Sequence, residues 1–203
     1  MNRLAAALLS VVFFCMTSDA AIVQLTLDGD TGEFISQGQM INATYDDSLG
    51  STVLVFLTET IGGPPSDLRF VLNNSTNFAG NDFSGPRFRT TELGIPLAVG
   101  TFDNAMRAPF ENPGFPGLSI DFAGRGANNA VDGSFTISEL RISGTGQLER
   151  FSASFIHFAD ANPNELRGTI TFTSATAVPE PGTLGLFAMA TVATIVRRRR
   201  RRI

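Results

Sequence analysis

His157 is the only imidazole in the 203-residue chain, so any chemistry that needs one must pass through it. It ends the alternating run Phe151, Ala153, Phe155, His157, which places it on the apolar face of a strand, pointing inward or at the rim of the core. A hydrolytic triad would also need a presented serine. No Gly-x-Ser-x-Gly elbow occurs, and Asp160 is a neighbour in sequence only. Carboxylate pairs for glycoside hydrolysis cannot be picked out, because any two of the 17 acids between residues 21 and 178 would make a pair by chance. These residues predict no catalytic group and no cofactor, and hence a non-enzymatic protein.

Oxygen ligation of calcium is the other chemistry to weigh. Asp28-Gly29-Asp30-Thr31-Gly32-Glu33 packs carboxylates into a turn, and Asp28, Asp30 and Glu33 are its weak candidates for metal ligands. The EF-hand pattern fails, since Gly32 replaces the third ligand, Glu33 the obligatory glycine and Gln39 the bidentate glutamate. The preferred reading is a solvated acidic hairpin end, and Asp46-Asp47 reads the same way. For contact with a partner, Phe78, Phe83 and Phe88 cluster with Arg87 and Arg89 in the Asn- and Gly-rich segment from Asn73 to Thr91, which reads as a long surface loop. The alternative is that this loop folds back onto the body. The lack of Trp and the single Tyr45 weaken a saccharide platform.

Charge is unevenly placed. All 15 basic residues are Arg, and six of them are the block from Arg197 to Arg202. Residues 21–178 hold 8 Arg against 17 Asp and Glu, a net of −9, which argues against nucleic acid as a partner of the body. The single Cys15 excludes a disulfide framework.

The two ends read as addresses. Arg3, the apolar run Leu4–Met16 and the small residues of Ser18-Asp19-Ala20 form a secretory signal peptide over residues 1–20, with cleavage after Ala20. Phe13 and Phe14 before Cys15 do not fit a lipoprotein site. At the other end, Pro179-Glu180-Pro181 is stiff and extended, Thr183–Val196 is an uncharged apolar stretch of 14 residues, and Arg197, Arg198, Arg199, Arg200, Arg201 and Arg202 follow. Fourteen helical residues reach about 21 Å against a hydrocarbon core of about 30 Å, so the predicted transmembrane helix is short. The Arg cluster should stay cytoplasmic and set the topology, with the body outside.

This tail, residues 178–203, resembles the PEP-CTERM sorting signal of Gram-negative bacteria. The resemblance implies recognition at Pro179, Glu180 and Pro181 by an exosortase, a membrane transpeptidase-like enzyme that cuts near these residues and releases or transfers the body. The secretion translocon and, transiently, the inner membrane are then further partners.

Between the signals, residues 21–177 read as an all-β domain. Val23, Leu25 and Leu27 alternate with Gln24, Thr26 and Asp28. Leu118, Ile120 and Phe122, then Phe151, Ala153 and Phe155, then Leu166, Ile170 and Phe172 repeat the pattern. Thr52–Leu57 is continuously apolar and is expected in the middle of a sheet. Phe135 and Ile137 set one phase and Leu140 and Ile142 the other, which predicts a bulge near Ser138-Glu139. Many short strands separated by Gly- and Pro-rich turns predict an antiparallel two-sheet β-sandwich, flanked by the signal helix and the C-terminal membrane helix.

The body also resembles a domain of various exported bacterial proteins. The carrying segments are Gly32–Gln39, Gly100–Arg107, Pro116-Gly117-Leu118, Gly124–Asn128, Gly133-Ser134-Phe135, Phe151–Phe155 and Leu166-Arg167-Gly168. The resemblance brings no activity and no functional residue. It implies that Ala127 and Ala159 stand where relatives often carry Cys, so that the Gly124–Asn128 loop lies beside the end of the strand holding Phe155 and His157.

The expectation is an exported protein that passes through the inner membrane to the cell surface or the extracellular matrix, sorted by its tail and carrying a structural or adhesive body. Extracellular polysaccharide is the candidate partner there. The alternative is a glycan- or calcium-binding module on the cell surface.

Overall fold

The computed structural model describes residues 20–59, 63–77, 85–126, 133–158 and 163–174. Of the expected signal peptide, residues 1–20, only Ala20 is among these residues, and the sorting segment at 178–203 lies outside them. Among the described residues, no helix is long and apolar enough to cross a membrane.

The body is built of strands. β1 (Ala21–Gly29), β2 (Met40–Asp46), β3 (Thr52–Glu59) and β4 (Pro65–Asn73) come first. β5 (Arg87–Arg89), β6 (Gly100–Arg107) and β7 (Gly117–Ser119) follow, then the small hairpin β8 (Asp121–Phe122) and β9 (Arg125–Gly126). β10 (Gly133–Ile142), β11 (Leu148–Phe158) and β12 (Glu165–Ser174) close the domain. The only helical pieces among the described residues are two 3-10 turns, Asp47–Leu49 and Thr91–Leu93.

The all-β expectation holds, but two separate sheets are not what the hydrogen bonding forms. Ten strands run in one order, β2-β1-β12-β11-β10-β6-β7-β5-β4-β3. The pairs are antiparallel except β6 with β7, where a short parallel contact through Met106 and Arg107 joins the two halves. The sheet folds over so that its halves face each other. Phe70 of β4 meets Phe151 of β11 and Phe172 of β12, with ring centroids 5.7 and 5.9 Å apart. Phe88 of β5 meets Phe135 of β10 and Phe151 at 5.3 and 5.2 Å. These tilted and edge-on contacts are the arrangement aromatic quadrupoles favour. The two ends of the order, β2 and β3, lie beside one another, so the sheet is a nearly closed barrel.

Alternation decides which side chains fill this core. Val23, Leu25 and Leu27 are fully buried, as are Leu118, Ile120, Leu166 and Ile170. Gly168 has a packing reason. It lies opposite Phe155, and a Cβ there would sit 2.1 Å from the Phe155 ring. The phase change in β10 is a register shift between Ile137 and Glu139, as the sequence pattern predicts.

Two expectations are corrected. Thr52–Leu57 is not central: it forms β3, the end of the strand order. Its run is continuous because Val53, Val55 and Leu57 pack on the core while Leu54 and Phe56 face solvent, 48% and 51% exposed. The segment from Asn73 to Thr91 is not one loop, because Arg87–Arg89 pairs with both β4 and β7 and drives Phe88 into the core.

Candidate functional site

The outer face of the β3, β4, β5 and β7 half carries an unusual row. Register sets Phe56 opposite Arg69, Arg69 opposite Arg87, and Arg87 opposite Ser119. Like charges directly opposed on neighbouring strands repel, so this register calls for compensating partners. Arg87 is steadied by Asp67, which accepts from its Nε at 2.9 Å and its second terminal nitrogen at 2.5 Å. This bidentate bond, with the charges of Asp67 and the nearby Glu111, raises the Arg87 guanidinium above its ordinary pKa despite partial burial. Beneath it, Arg89 binds the fully buried Glu111 carboxylate and lies 3.5 Å from Asp67.

Beyond β7 the row opens into a cavity of about 390 Å³, lined among others by Arg69, Arg87, Arg107, Phe34, Phe110 and Asp121. Arg107 leaves the end of β6 and lies over the Phe110 ring, 5.0 Å from its centroid. Phe34 arrives from the turn after β1, held by Arg125, whose Nε donates to the Ile35 carbonyl at 2.9 Å. Phe34, Phe56 and Phe110 are 51%, 51% and 68% exposed. Three of the body's 8 guanidinium groups therefore converge on one cleft of an acidic domain. Sequence reasoning pointed to Arg87 but joined it to the wrong partners. Phe88 belongs to the core, Arg89 to an internal ion pair, and Phe78 and Phe83 lie outside the described residues.

The weak calcium candidates are not brought together. Glu33 is 2% exposed and turns its carboxylate onto its own loop, accepting from the Ile35 and Ser36 amides at 2.7 and 2.6 Å and from the Ser36 hydroxyl at 2.8 Å. Asp30 accepts from Arg167 at 3.0 Å and from the Glu165 amide at 3.2 Å, and the Arg167 bond holds its carboxyl below the usual range. Asp28 is exposed on β1 opposite Arg167. Of the second acidic pair, Asp46 caps the following 3-10 turn through the Ser48 amide at 2.9 Å, and Asp47 accepts from the Ala21 amide at 2.8 Å. Among the described residues no group of three or more His, Cys, Asp and Glu side chains could hold a metal ion.

His157 points inward, as its strand phase requires, and is 1% exposed. Neither ring nitrogen has a hydrogen-bond partner among the described residues. Burial pushes its pKa down to about 4, so it is a neutral imidazole sealed from solvent. Asp160, Ala127 and Ala159 lie outside the described residues, as do Pro179, Glu180, Pro181 and Arg197–Arg202. Ala20, the expected cleavage position, directly precedes β1.

No curated protein and no solved structure matches the chain. One family match is found, at residues 177–201, and it spans the Pro-Glu-Pro triplet, the apolar stretch and most of the Arg cluster. The chain carries a PEP-CTERM protein-sorting motif, and so the mark of a protein exported across the membrane toward the cell surface and processed by an exosortase-type enzyme.

Proposed function

We propose that this is a surface or extracellular-matrix protein of a Gram-negative bacterium, whose β body serves a structural or adhesive role after its tail is cut. The observation that carries the reading is the PEP-CTERM match at residues 177–201. The order of its parts gives each a physical task. On this reading the Pro-Glu-Pro triplet would be the cleavage segment, the short apolar stretch would hold the chain in the membrane until cutting, and the Arg block would fix the cytoplasmic side. A signal peptide cut after Ala20 and the secretion translocon would bring the body across first. The reading as a non-enzymatic module rests on the burial of His157, which removes the only imidazole from contact with a substrate. Of the ligand-binding alternatives, the arginine cleft favours a glycan, whereas the engaged oxygens of Asp30 and Glu33 speak against calcium at their turn.

Replacing Pro179-Glu180-Pro181 with three alanines in the producing cell should leave a membrane-held precursor that keeps the Arg block, read by intact mass and fractionation. The unaltered chain should appear outside the inner membrane without Arg197–Arg202. Equal processing of both chains would overturn the sorting role of the triplet.

A further inference from the structure

We propose that the cleft between the β4–β5–β7 face and the Arg107–Phe110 turn binds a carboxylated sugar, with the guanidinium groups of Arg69, Arg87 and Arg107 receiving the carboxylates and Phe34 and Phe110 packing on ring faces. The inference extends the adhesive reading of the body and is independent of how the tail is processed.

Three features define the ligand. The first is anionic charge. In a body of net −9, three guanidinium groups line one cavity, and two of them stand opposite each other in register. Arg87 gives its Nε and one terminal nitrogen to Asp67 and keeps further N–H donors, and a guanidinium is planar, with donors spaced to match a carboxylate edge.

The second is an apolar face. Phe110 is 68% exposed and Phe34 51% at the mouth of the same cavity, where the C–H face of a pyranose could cover what water now meets. The third is hydroxyl content. Asp121 and Ser119 also line the cavity. The Asp121 carboxylate would accept from sugar hydroxyls, and it repels a compact multivalent anion such as phosphate more than a singly charged carboxylate. A ligand with one negative charge per ring, several hydroxyls and an apolar face satisfies all three, and a uronic acid has that chemistry. The volume of about 390 Å³ lies within the ordinary range of small-ligand sites, roughly 300–1,000 Å³. Phe56 continues the row past Arg69, so a chain of such sugars would find a further contact along the sheet.

The test is calorimetric titration of the full chain in detergent micelles with oligogalacturonate, beside a neutral glucose oligomer of equal length and inorganic phosphate. Oligogalacturonate should bind, with affinity falling as salt rises. The neutral oligomer should give no heat, and phosphate should bind at least about tenfold more weakly. Arg69→Gln and Arg107→Gln should each weaken binding about tenfold or more, the scale of a lost charge-assisted bond. Phe110→Ala, at an exposed position, should weaken it severalfold with melting unchanged. Absence of binding overturns the proposal. So do equal binding of the neutral oligomer, phosphate binding as tight as oligogalacturonate, and unchanged affinity in folded Arg variants.

Discussion

At the scale of single residues, His157 illustrates how burial alone sets chemistry. The ring sits opposite Leu166 in the β11–β12 ladder, 1% exposed, without a hydrogen-bond partner among the described residues. A buried neutral imidazole binds no proton in the fold until about pH 4, while the unfolded chain takes one up near 6.5. Between these values the unfolded state holds more protons, so the stability tied to His157 is complete above pH 6.5 and is lost as pH falls toward 4. The full loss is roughly 3 kcal/mol. Leucine has similar bulk and no polar atoms to strand, so His157→Leu should be neutral or stabilising at pH 7. It should also flatten the fall in stability between pH 6.5 and 4. Urea unfolding of both chains at pH 7.5 and pH 4.5 measures this, and an equal acid loss in the two would refute the assignment. The strand phase of His157 was legible in sequence from Phe151, Ala153 and Phe155. Its isolation was not, since that depends on which side chains face it across the barrel.

At the scale of elements, the same distinction separates what alternation encodes from what register encodes. The inward faces of β1, β11 and β12 follow from period two because each has one wet and one dry side. Thr52–Leu57 misleads for the same reason, since its outward Leu54 and Phe56 are apolar yet exposed on the end strand. The arginine row was invisible because Arg69 and Arg87 lie far apart in sequence and meet only through the pairing of β4 with β5. The other end strand shows how an edge is guarded. β2 would offer free backbone groups to a second chain, but the segment after β4 covers it. Thr76 donates its amide to the Thr44 carbonyl at 2.8 Å, and the Thr44 amide donates to Asn77 Oδ1 at 2.7 Å. The Asn77 side chain thus stands in for a strand carbonyl. Asn77→Ala should cost about 1 kcal/mol and leave the Thr44 amide open to another edge. Light scattering at rising concentration should show self-association of the variant before that of the parent chain. Identical behaviour would mean that the rest of the segment guards β2 unaided.

At the scale of the whole molecule, processing at the N-terminus meets the fold at one contact. The Ala21 nitrogen donates to Asp47 Oδ1 at 2.8 Å, so the start of β1 is tied to the 3-10 turn that follows β2. In a precursor this nitrogen is a neutral amide. Cleavage after Ala20 would make it the α-ammonium of the mature chain and turn the same contact into an ion pair without moving an atom of the body. A charge-assisted bond at a half-buried site is worth more than its neutral counterpart, here on the order of 1 kcal/mol more. The opposite end of β1 is held independently, where the Asp30 amide donates to the Glu165 carbonyl at 2.9 Å and its carboxylate receives Arg167. Removing Asp47 should therefore loosen only the first turn of pairing between β1 and β2. Asp47→Ala should lower the melting temperature more in the chain that begins at Ala21 than in the uncleaved chain, and the difference should shrink in high salt. Amide exchange should locate the added opening at Ile22 and Val23 and not at Leu27. Equal destabilisation of the two forms would mean that the ammonium makes no pair with Asp47, and that maturation leaves the stability of the body unchanged.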